Sequence, residues 1–211
     1  MAFSAQDFAA LPDVSRETYA EFEAYDALLT KWNRSINLVS PKAAAEFWQR
    51  HALDSWQLTR FLPPRADTIL DLGSGAGFPG IPLAIACKRR GHGTVTLVES
   101  AGKKANFLRS VIRDLALPAA VWADRAENLP HTTYDVISAR AFAPLPRLLT
   151  YAHPFWKNST LALLLKGQGA CEELTQAQKT WIYSAETEKS LSDPSGVILK
   201  ISDLAQRPAA P

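Results

Sequence analysis

Cysteine, histidine and methionine are scarce in this chain: two, four and one among 211 residues. Cys87 and Cys171 form no C-x-x-C pair, and His51, His92, His131 and His153 are scattered. A disulfide scaffold, a zinc centre and a cysteine-ligated cluster therefore lack their ligands, and no metal is expected. No apolar run approaches the ~20 residues of a membrane span; the longest, Leu161 to Leu165, is the size of a strand. The first residues carry Asp7 and no basic flank ahead of an apolar segment, so no secretory signal is expected and cytoplasmic residence follows as the default. Net charge is also small, +2, and by itself selects no partner. Hydrophobic residues make up 47% of a length that suits one domain with an extension, enough for a sizeable core.

Against this background one stretch stands out. Ile69-Leu70-Asp71-Leu72-Gly73-Ser74-Gly75-Ala76-Gly77-Phe78-Pro79-Gly80 is a short apolar strand that ends in an acid and breaks into alternating glycines. Glycines at 73, 75 and 77 let the backbone turn with positive φ and approach a ligand that a Cβ would block. Ile81 to Cys87 then reads as a helix, which places the loop at a helix N-terminus. A second β-branched strand, Thr94 to Val98, ends at Glu99, whose carboxylate can accept both hydroxyl hydrogens of an adenosine ribose. Nicotinamide dinucleotides and S-adenosylmethionine both contain that ribose. Asp71 would repel a pyrophosphate and suits the cationic methionine end, so the acid favours S-adenosylmethionine. The other reading of Asp71 is a turn carboxylate.

Charge is unevenly placed. Between Lys88 and Arg147 there are ten Lys/Arg and five Asp/Glu, whereas the rest of the chain carries 13 and 16. Lys88-Arg89-Arg90, then Lys103, Lys104, Arg109 and Arg113, then Arg125, Arg140 and Arg147 make a surface suited to a phosphate backbone, or else a solvated helix face.

The spacing of Tyr19, Phe22, Tyr25, Leu28, Leu29 and Trp32 predicts an amphipathic helix over 15–32, and Ala43 to Phe61 reads as a second helix, bounded by Pro63-Pro64. Strands near 67–72, 94–99, 119–123, 134–138 and 160–165 then alternate with helices at 80–89, 102–116, 144–153 and 170–179, which implies a parallel sheet covered on both faces. Ser184 to Ser190 and Val197 to Ile201, joined by the turn Asp193-Pro194-Ser195-Gly196, read as a closing antiparallel hairpin. The expected organisation is an N-terminal helical extension over 1–64, a Rossmann-like domain over 65–207 and a flexible tail over 208–211.

Seven separated motifs resemble one family, the RsmG (GidB) methyltransferases of bacterial small-subunit ribosomal RNA. They are Lys31-Trp32-Asn33 with Ile36-Asn37-Leu38-Val39-Ser40; Arg50-His51-Ala52-Leu53-Asp54-Ser55; the glycine loop through Pro79-Gly80-Ile81-Pro82; Val98-Glu99-Ser100 with Lys103-Lys104 and Phe107-Leu108; Arg125-Ala126-Glu127; Ser138-Ala139-Arg140-Ala141; and Leu165-Lys166-Gly167-Gln168. They run in order over about residues 31 to 168. The C-terminal segment carries no such motif, and the basic, glycine-rich Lys88 to Gly93 loop departs from the proline-containing turn expected there. The resemblance implies the α/β class I S-adenosylmethionine-dependent methyltransferase fold, a mostly parallel seven-stranded sheet with an antiparallel last strand. It also implies methyl transfer to nitrogen 7 of guanine 527 in 16S ribosomal RNA near the decoding site; the sequence leaves open naked RNA or the small subunit as substrate, and a monomer is expected. Nitrogen 7 of neutral guanine has a free lone pair, so this transfer needs no general base and no catalytic residue is assigned.

Gly73, Ser74, Gly75, Gly77 and Phe78 are the candidates for the cofactor loop, Asp71 for the ammonium side, directly or through water, and Glu99 for the ribose. The resemblance places Arg125, Ala126 and Glu127 beside the adenine. Arg140, ending the fourth strand, could pair with the methionine carboxylate or an RNA phosphate, or form a structural ion pair, and Lys166, ending the fifth, is a candidate for RNA contact. His51 and Asp54 are helical neighbours, so a His–Asp hydrogen bond that locks the N-terminal helices is expected, with Arg50 facing RNA. Trp32, Trp48 and Trp56 read as packing residues. A nicotinamide-dependent oxidoreductase would explain the glycines and Glu99, and an RNA-binding platform would explain only the charge. The same cofactor acting on another RNA, a small molecule or a protein also stays open.

Overall fold

The computed structural model describes residues 3–208; of the expected tail, 209–211 lie outside the described residues. The N-terminal region folds as α1 (Ala5–Ala9), α2 (Arg16–Asn33), α3 (Pro41–Ala45) and α4 (Asp54–Trp56), and Gln57–Phe61 continues as a tight 3-10 turn. Serines start the first three helices: Ser4, Ser15 and Ser40 each accept a backbone N–H of the first turn on the side-chain oxygen. The single helix expected over 43–61 is not formed. Between α3 and α4, Trp48–Leu53 widens into a π-helical turn.

Seven strands follow: β1 (Thr68–Leu72), β2 (Thr94–Val98), β3 (Ala119–Trp122), β4 (Val136–Arg140), β5 (Leu161–Lys166), β6 (Trp181–Lys189) and β7 (Val197–Gln206). They make one sheet in the order β3-β2-β1-β4-β5-β7-β6. The first five are parallel, and β7 inserts antiparallel between β5 and β6. The parallel sheet with an antiparallel last strand is thus the observed fold. The helices between strands are α5 (Gly80–Arg90), α6 (Gly102–Asp114), α7 (Leu145–Ala152) and α8 (Ala170–Ala177).

Successive side chains of a strand point to opposite faces, and the central strands are apolar on both. Ile69, Val95, Leu97 and Val136 join Leu83, Phe107 and Leu108 of α5 and α6 in one core; Leu70, Leu72, Ile137 and Ala139 join Leu148 and Leu149 of α7 in the other. The N-terminal helices do not build a core of their own. Phe8, Phe22, Tyr25, Leu29, Phe47 and Trp56 belong to the α5/α6 core, each buried side chain worth about 1.5–3 kcal/mol of apolar transfer. Trp32 meets the edge of Phe107 at 5.8 Å and Trp48 stacks on Tyr19 at 5.5 Å, so the tryptophans pack as expected.

Two links fasten this layer to the sheet domain. Glu21 of α2, almost fully buried, takes Lys88 at 2.8 Å and Arg89 at 2.5 Å from the last turn of α5, where cations also complement the helix dipole. Arg90 donates to the carbonyls of Pro63 and Pro64. The Lys88-Arg89-Arg90 run is therefore tied up within the protein. It sits at the far end of α5 from the glycine loop, which removes it from the expected RNA surface. At the near end, the buried Tyr25 hydroxyl donates to the Ala76 carbonyl in the glycine loop at 2.5 Å. Tyr25→Phe leaves that carbonyl unpaired in a closed core and is expected to cost about 1–2 kcal/mol of unfolding free energy, seen as a lower urea midpoint; an unchanged midpoint would remove the bond from this account.

Candidate functional site

The carboxyl ends of the parallel strands carry the site. β1 runs straight into the glycine loop, and Ser74 anchors the turn by donating its N–H to the Val98 carbonyl at 2.9 Å. Gly75 has φ +58°, and a Cβ there would meet only the Gly73 carbonyl at 3.8 Å, so Gly75 presents bare backbone to open space, whereas a Cβ on Gly73 would run into the Phe142 ring. That space is a cavity of about 560 Å³ lined by Gly73, Ser74, Gly75, Phe78, Glu99, Arg125, Ala126, Glu127 and Arg140 from the predicted set. Glu99 follows β2 and is fixed from both sides. Its Oε2 accepts the Gly75 N–H at 2.9 Å and its Oε1 the Ala101 N–H at 2.7 Å, which leaves lone pairs on both oxygens. A loop with bare backbone next to a pre-oriented carboxylate, in a cavity of ligand size, fits the adenosine and methionine parts of S-adenosylmethionine.

Two predicted residues lie outside that lining. Asp71 has no exposed surface: it sits beneath the floor, where parallel pairing puts it opposite Ser138, whose hydroxyl donates to Oδ1 at 2.7 Å. Direct contact with an ammonium group is thereby corrected to support from below. Burial pushes the Asp71 carboxyl up to about 6, against the lowering effect of its hydroxyl partners. A Cβ on Gly80 would stand 2.6 Å from Asp71 Oδ2 and closer still to Leu97, so Gly80 is there to admit the acid. Gly77, also expected at the ligand, instead makes room within the protein: a Cβ there would come 2.6 Å from the Tyr25 hydroxyl and from Ile81.

Arg140 is the most connected side chain of the site. Its guanidinium donates to the Arg50 carbonyl at 2.6 Å, to Asp54 Oδ2 at 3.2 Å and to His51 Nδ1 at 2.9 Å, and it covers the Phe78 ring at 4.9 Å. The π-helical turn makes this possible. The Asp54 N–H, which a regular helix would send to Arg50, is shared by the Gln49 and His51 carbonyls instead and leaves the Arg50 carbonyl to Arg140. The predicted His51–Asp54 bond is replaced by a shared arginine between the two. His51 also stacks on Phe78 at 4.4 Å, and burial, then Arg140 and Arg50, lowers its pKa to about 3, so it is neutral and its Nδ1 lone pair is taken. Phe78 is covered by His51 and Tyr25 and offers no free face for a base.

Beyond Arg140 lies a second cavity of about 980 Å³, walled by the π-helical turn, the ends of β4 and β5, and the β6–β7 turn. That turn is strapped to the N-terminal layer through Gln57 on Ser190 and Leu191, and Ser192 on Asp54. Arg140, Ala141 and Phe142 line both cavities. Lys166, expected to reach RNA, is mostly buried and donates to the Ala143 carbonyl at 2.8 Å and Glu173 at 2.7 Å. Phe142, Tyr151, Leu38 and Val39 line the cofactor cavity without having been singled out as site residues. For Leu38 and Val39 a signal existed: Asn33 ends α2 and its side chain accepts both their N–H groups, at 2.8 and 3.1 Å.

Asp71 supplies a pH test with a defined sign. Its folded pKa is raised, so the folded protein binds the extra proton and its stability falls as pH rises from about 4 to about 6. Asp71→Asn should lose that slope, gaining roughly 2 kcal/mol relative to wild type between pH 4 and pH 7 in urea unfolding; parallel pH profiles would contradict the shift. Arg140→Lys, which keeps charge but cannot serve three acceptors, should cost about 2–3 kcal/mol in the same assay.

Comparison with known proteins agrees with this geometry. The family model for rRNA small subunit methyltransferase G (GidB) matches residues 18–198. A protein of Parvibaculum lavamentivorans named ribosomal RNA small subunit methyltransferase G is 46% identical over 201 residues, covering 94% of this chain and 89% of its own. Among solved structures, a putative O-methyltransferase from Klebsiella pneumoniae has a TM-score of 0.59 at 17% identity, covering 95% of this chain and 97% of that one. M. jannaschii TYW2 in complex with AdoMet has a TM-score of 0.54 at 13% identity, covering 72% and 74%. These two likenesses carry the fold, which is that of class I methyltransferases. On the family model and the identity along nearly its whole length, the chain is an S-adenosylmethionine-dependent methyltransferase and belongs to the rRNA small subunit methyltransferase G family.

Proposed function

We propose that this protein methylates nitrogen 7 of guanine 527 in 16S ribosomal RNA, in the loop near the decoding site. The observation that carries the reading is that a cavity fitted to the cofactor and a larger one able to admit a base meet at shared lining residues, Arg140, Ala141 and Phe142. S-adenosylmethionine supplies a methyl on a sulfonium: the nitrogen 7 lone pair forms the new N–C bond, the C–S pair returns to sulfur, and no proton leaves the base. The residues at the junction suit that chemistry. His51, the one histidine lining the junction, is neutral with its Nδ1 occupied, so it is not poised to remove a proton. In this reading Glu99 accepts the ribose hydroxyls, Gly73 to Gly75 pass beside the methionine, and Arg125, Ala126 and Glu127 flank the adenine. What the chain adds is alignment of nucleophile and methyl, and a site that excludes water.

Lys103 and Lys104 begin α6, and Lys104 reaches the cavity rim, which supports a phosphate contact on that side. In this reading the protein acts as a monomer. Residues 1–64 act as the extension that braces the site and 65–207 as the catalytic domain. Among the described residues no helix is long and apolar enough to cross a membrane.

Incubation with methyl-labelled S-adenosylmethionine and either 16S ribosomal RNA or assembled small subunits should place label on a single guanine. Label on another base, or calorimetric binding of NADH in place of S-adenosylmethionine, overturns the reading. Glu99→Ala removes hydrogen bonds to a charged acceptor and should weaken cofactor binding about 10- to 100-fold. Lys103→Ala should change it less than about threefold; equal losses would count against the ribose assignment.

A further inference from the structure

Along the carboxyl edge of the sheet the functional groups follow strand order: Glu99 after β2, the glycine loop after β1, Arg140 to Phe142 after β4, and Lys166 at the end of β5. Neighbouring strands stand about 4.8 Å apart. A base whose nitrogen 7 faces the cofactor beside β4 therefore reaches its opposite edge about one strand further on, over β5. The group fixed there is Glu173. Its Oε2 accepts the Leu145 N–H at 2.6 Å and Lys166 Nζ at 2.7 Å, which hold the carboxylate against the wall of the second cavity. Among the described residues Oε1 has no hydrogen-bond partner, and the side chain is 31% exposed. The other carboxylates of this wall are committed or peripheral. Asp54 has Ser192 and Gln57 on one oxygen and Arg140 on the other, Glu46 pairs with Arg50, and Asp193 belongs to the exposed β6–β7 turn.

We propose that the second cavity receives the target guanine with its N1–H and 2-amino edge against Glu173 Oε1, so that Glu173 selects guanine for methylation. The assignment rests on the guanine reading above. An ionised carboxylate only accepts hydrogen bonds, and the edge of guanine opposite nitrogen 7 only donates, through N1–H and the 2-amino group. Adenine presents an unprotonated N1 there and no 2-amino group, so it would set lone pair against lone pair. A site that hydrogen-bonds its substrate rejects the analogue lacking the partner, because its own polar group is then left unpaired. Glu173 would also act on the rate. Transfer moves positive charge onto the purine, and a carboxylate on the N1–H edge becomes a stronger partner as that charge develops. Lys166 in this scheme is a positioning residue that aims Glu173.

The test is a cycle of two enzymes and two RNAs: wild type and Glu173→Gln, each with 16S ribosomal RNA carrying guanosine or inosine at the methylated position. Inosine lacks only the 2-amino group. Wild type should lose about tenfold in kcat/KM on inosine, and Glu173→Gln, already slower on guanosine, should lose less than about twofold, with S-adenosylmethionine affinity unchanged in both. A carboxylate that merely holds Lys166 and caps α7 leaves the guanosine-to-inosine ratio the same in both enzymes, and that result overturns the proposal. If Glu173→Gln does not fold, wild type alone decides: a ratio near one overturns it and a tenfold ratio retains it. Absence of label from the guanosine RNA with wild type instead overturns the functional reading itself.

Discussion

The Arg140 guanidinium is the constraint on which the site depends. It stands at the end of β4 with only 20% of its side chain exposed, and a charge so placed needs its donors satisfied and a counter-charge near. The protein meets that need with parts from several places: a carbonyl freed by the π-helical turn, the Asp54 carboxylate, the His51 ring nitrogen and the face of Phe78. Each partner is thereby fixed as well. Arg140 orients the π-helical turn that walls the second cavity, and Asp54 passes the constraint on to Ser192 and the β6–β7 turn. One cation thus couples the N-terminal layer, the glycine loop through Phe78, and the far wall of the second cavity.

The glycine loop is held from three directions for a related reason. A loop that offers bare backbone to a ligand has few side chains of its own to pack, so its shape must come from neighbours. Asp71 and Ser138 support it from below, Tyr25 grips the Ala76 carbonyl from the helical layer, and Glu99 ties the Gly75 N–H across from β2. Glu99 is thus both a ligand-facing group and a strut. The N-terminal helices share the α5/α6 core, so they belong to the catalytic unit's support.

Much of this was legible in the sequence, and the limits have a physical pattern. Strand periodicity, the glycine loop and the acid after β2 are local signals, and all appear near where they were expected. The helix read over 43–61 failed because a π-helical turn keeps helix-like apolar spacing while shifting its hydrogen bonds by one residue; only Arg140, 90 residues away along the chain, reveals why. Lys88 to Arg90 and Lys166 were read as free cations because sequence shows charge and not its partners. Those partners, Glu21, the proline carbonyls and Glu173, come from other elements. Asp71 and Gly77 were read as ligand contacts because a motif gives order along the chain, whereas the register with β4 and the reach of Tyr25 decide which groups surface.

The neutralisation of Arg140 also has an electrostatic consequence for the reaction. In the proposed reaction the cofactor would bring a sulfonium and the product would leave a cation on the purine, so positive charge would pass the junction that Arg140 lines. An uncompensated guanidinium beside that path would raise the barrier wherever the moving charge drew nearer to it. The Asp54 carboxylate, 3.2 Å from the guanidinium, cancels most of that field while leaving the planar group in place as a rigid wall. An arginine free to seize an RNA phosphate would help binding and oppose the chemistry; one held by Asp54, His51 and a backbone carbonyl shapes the junction without charging it. In the proposed reading RNA attraction would fall instead to the lysines at the start of α6, of which Lys104 lines the rim of the cofactor cavity.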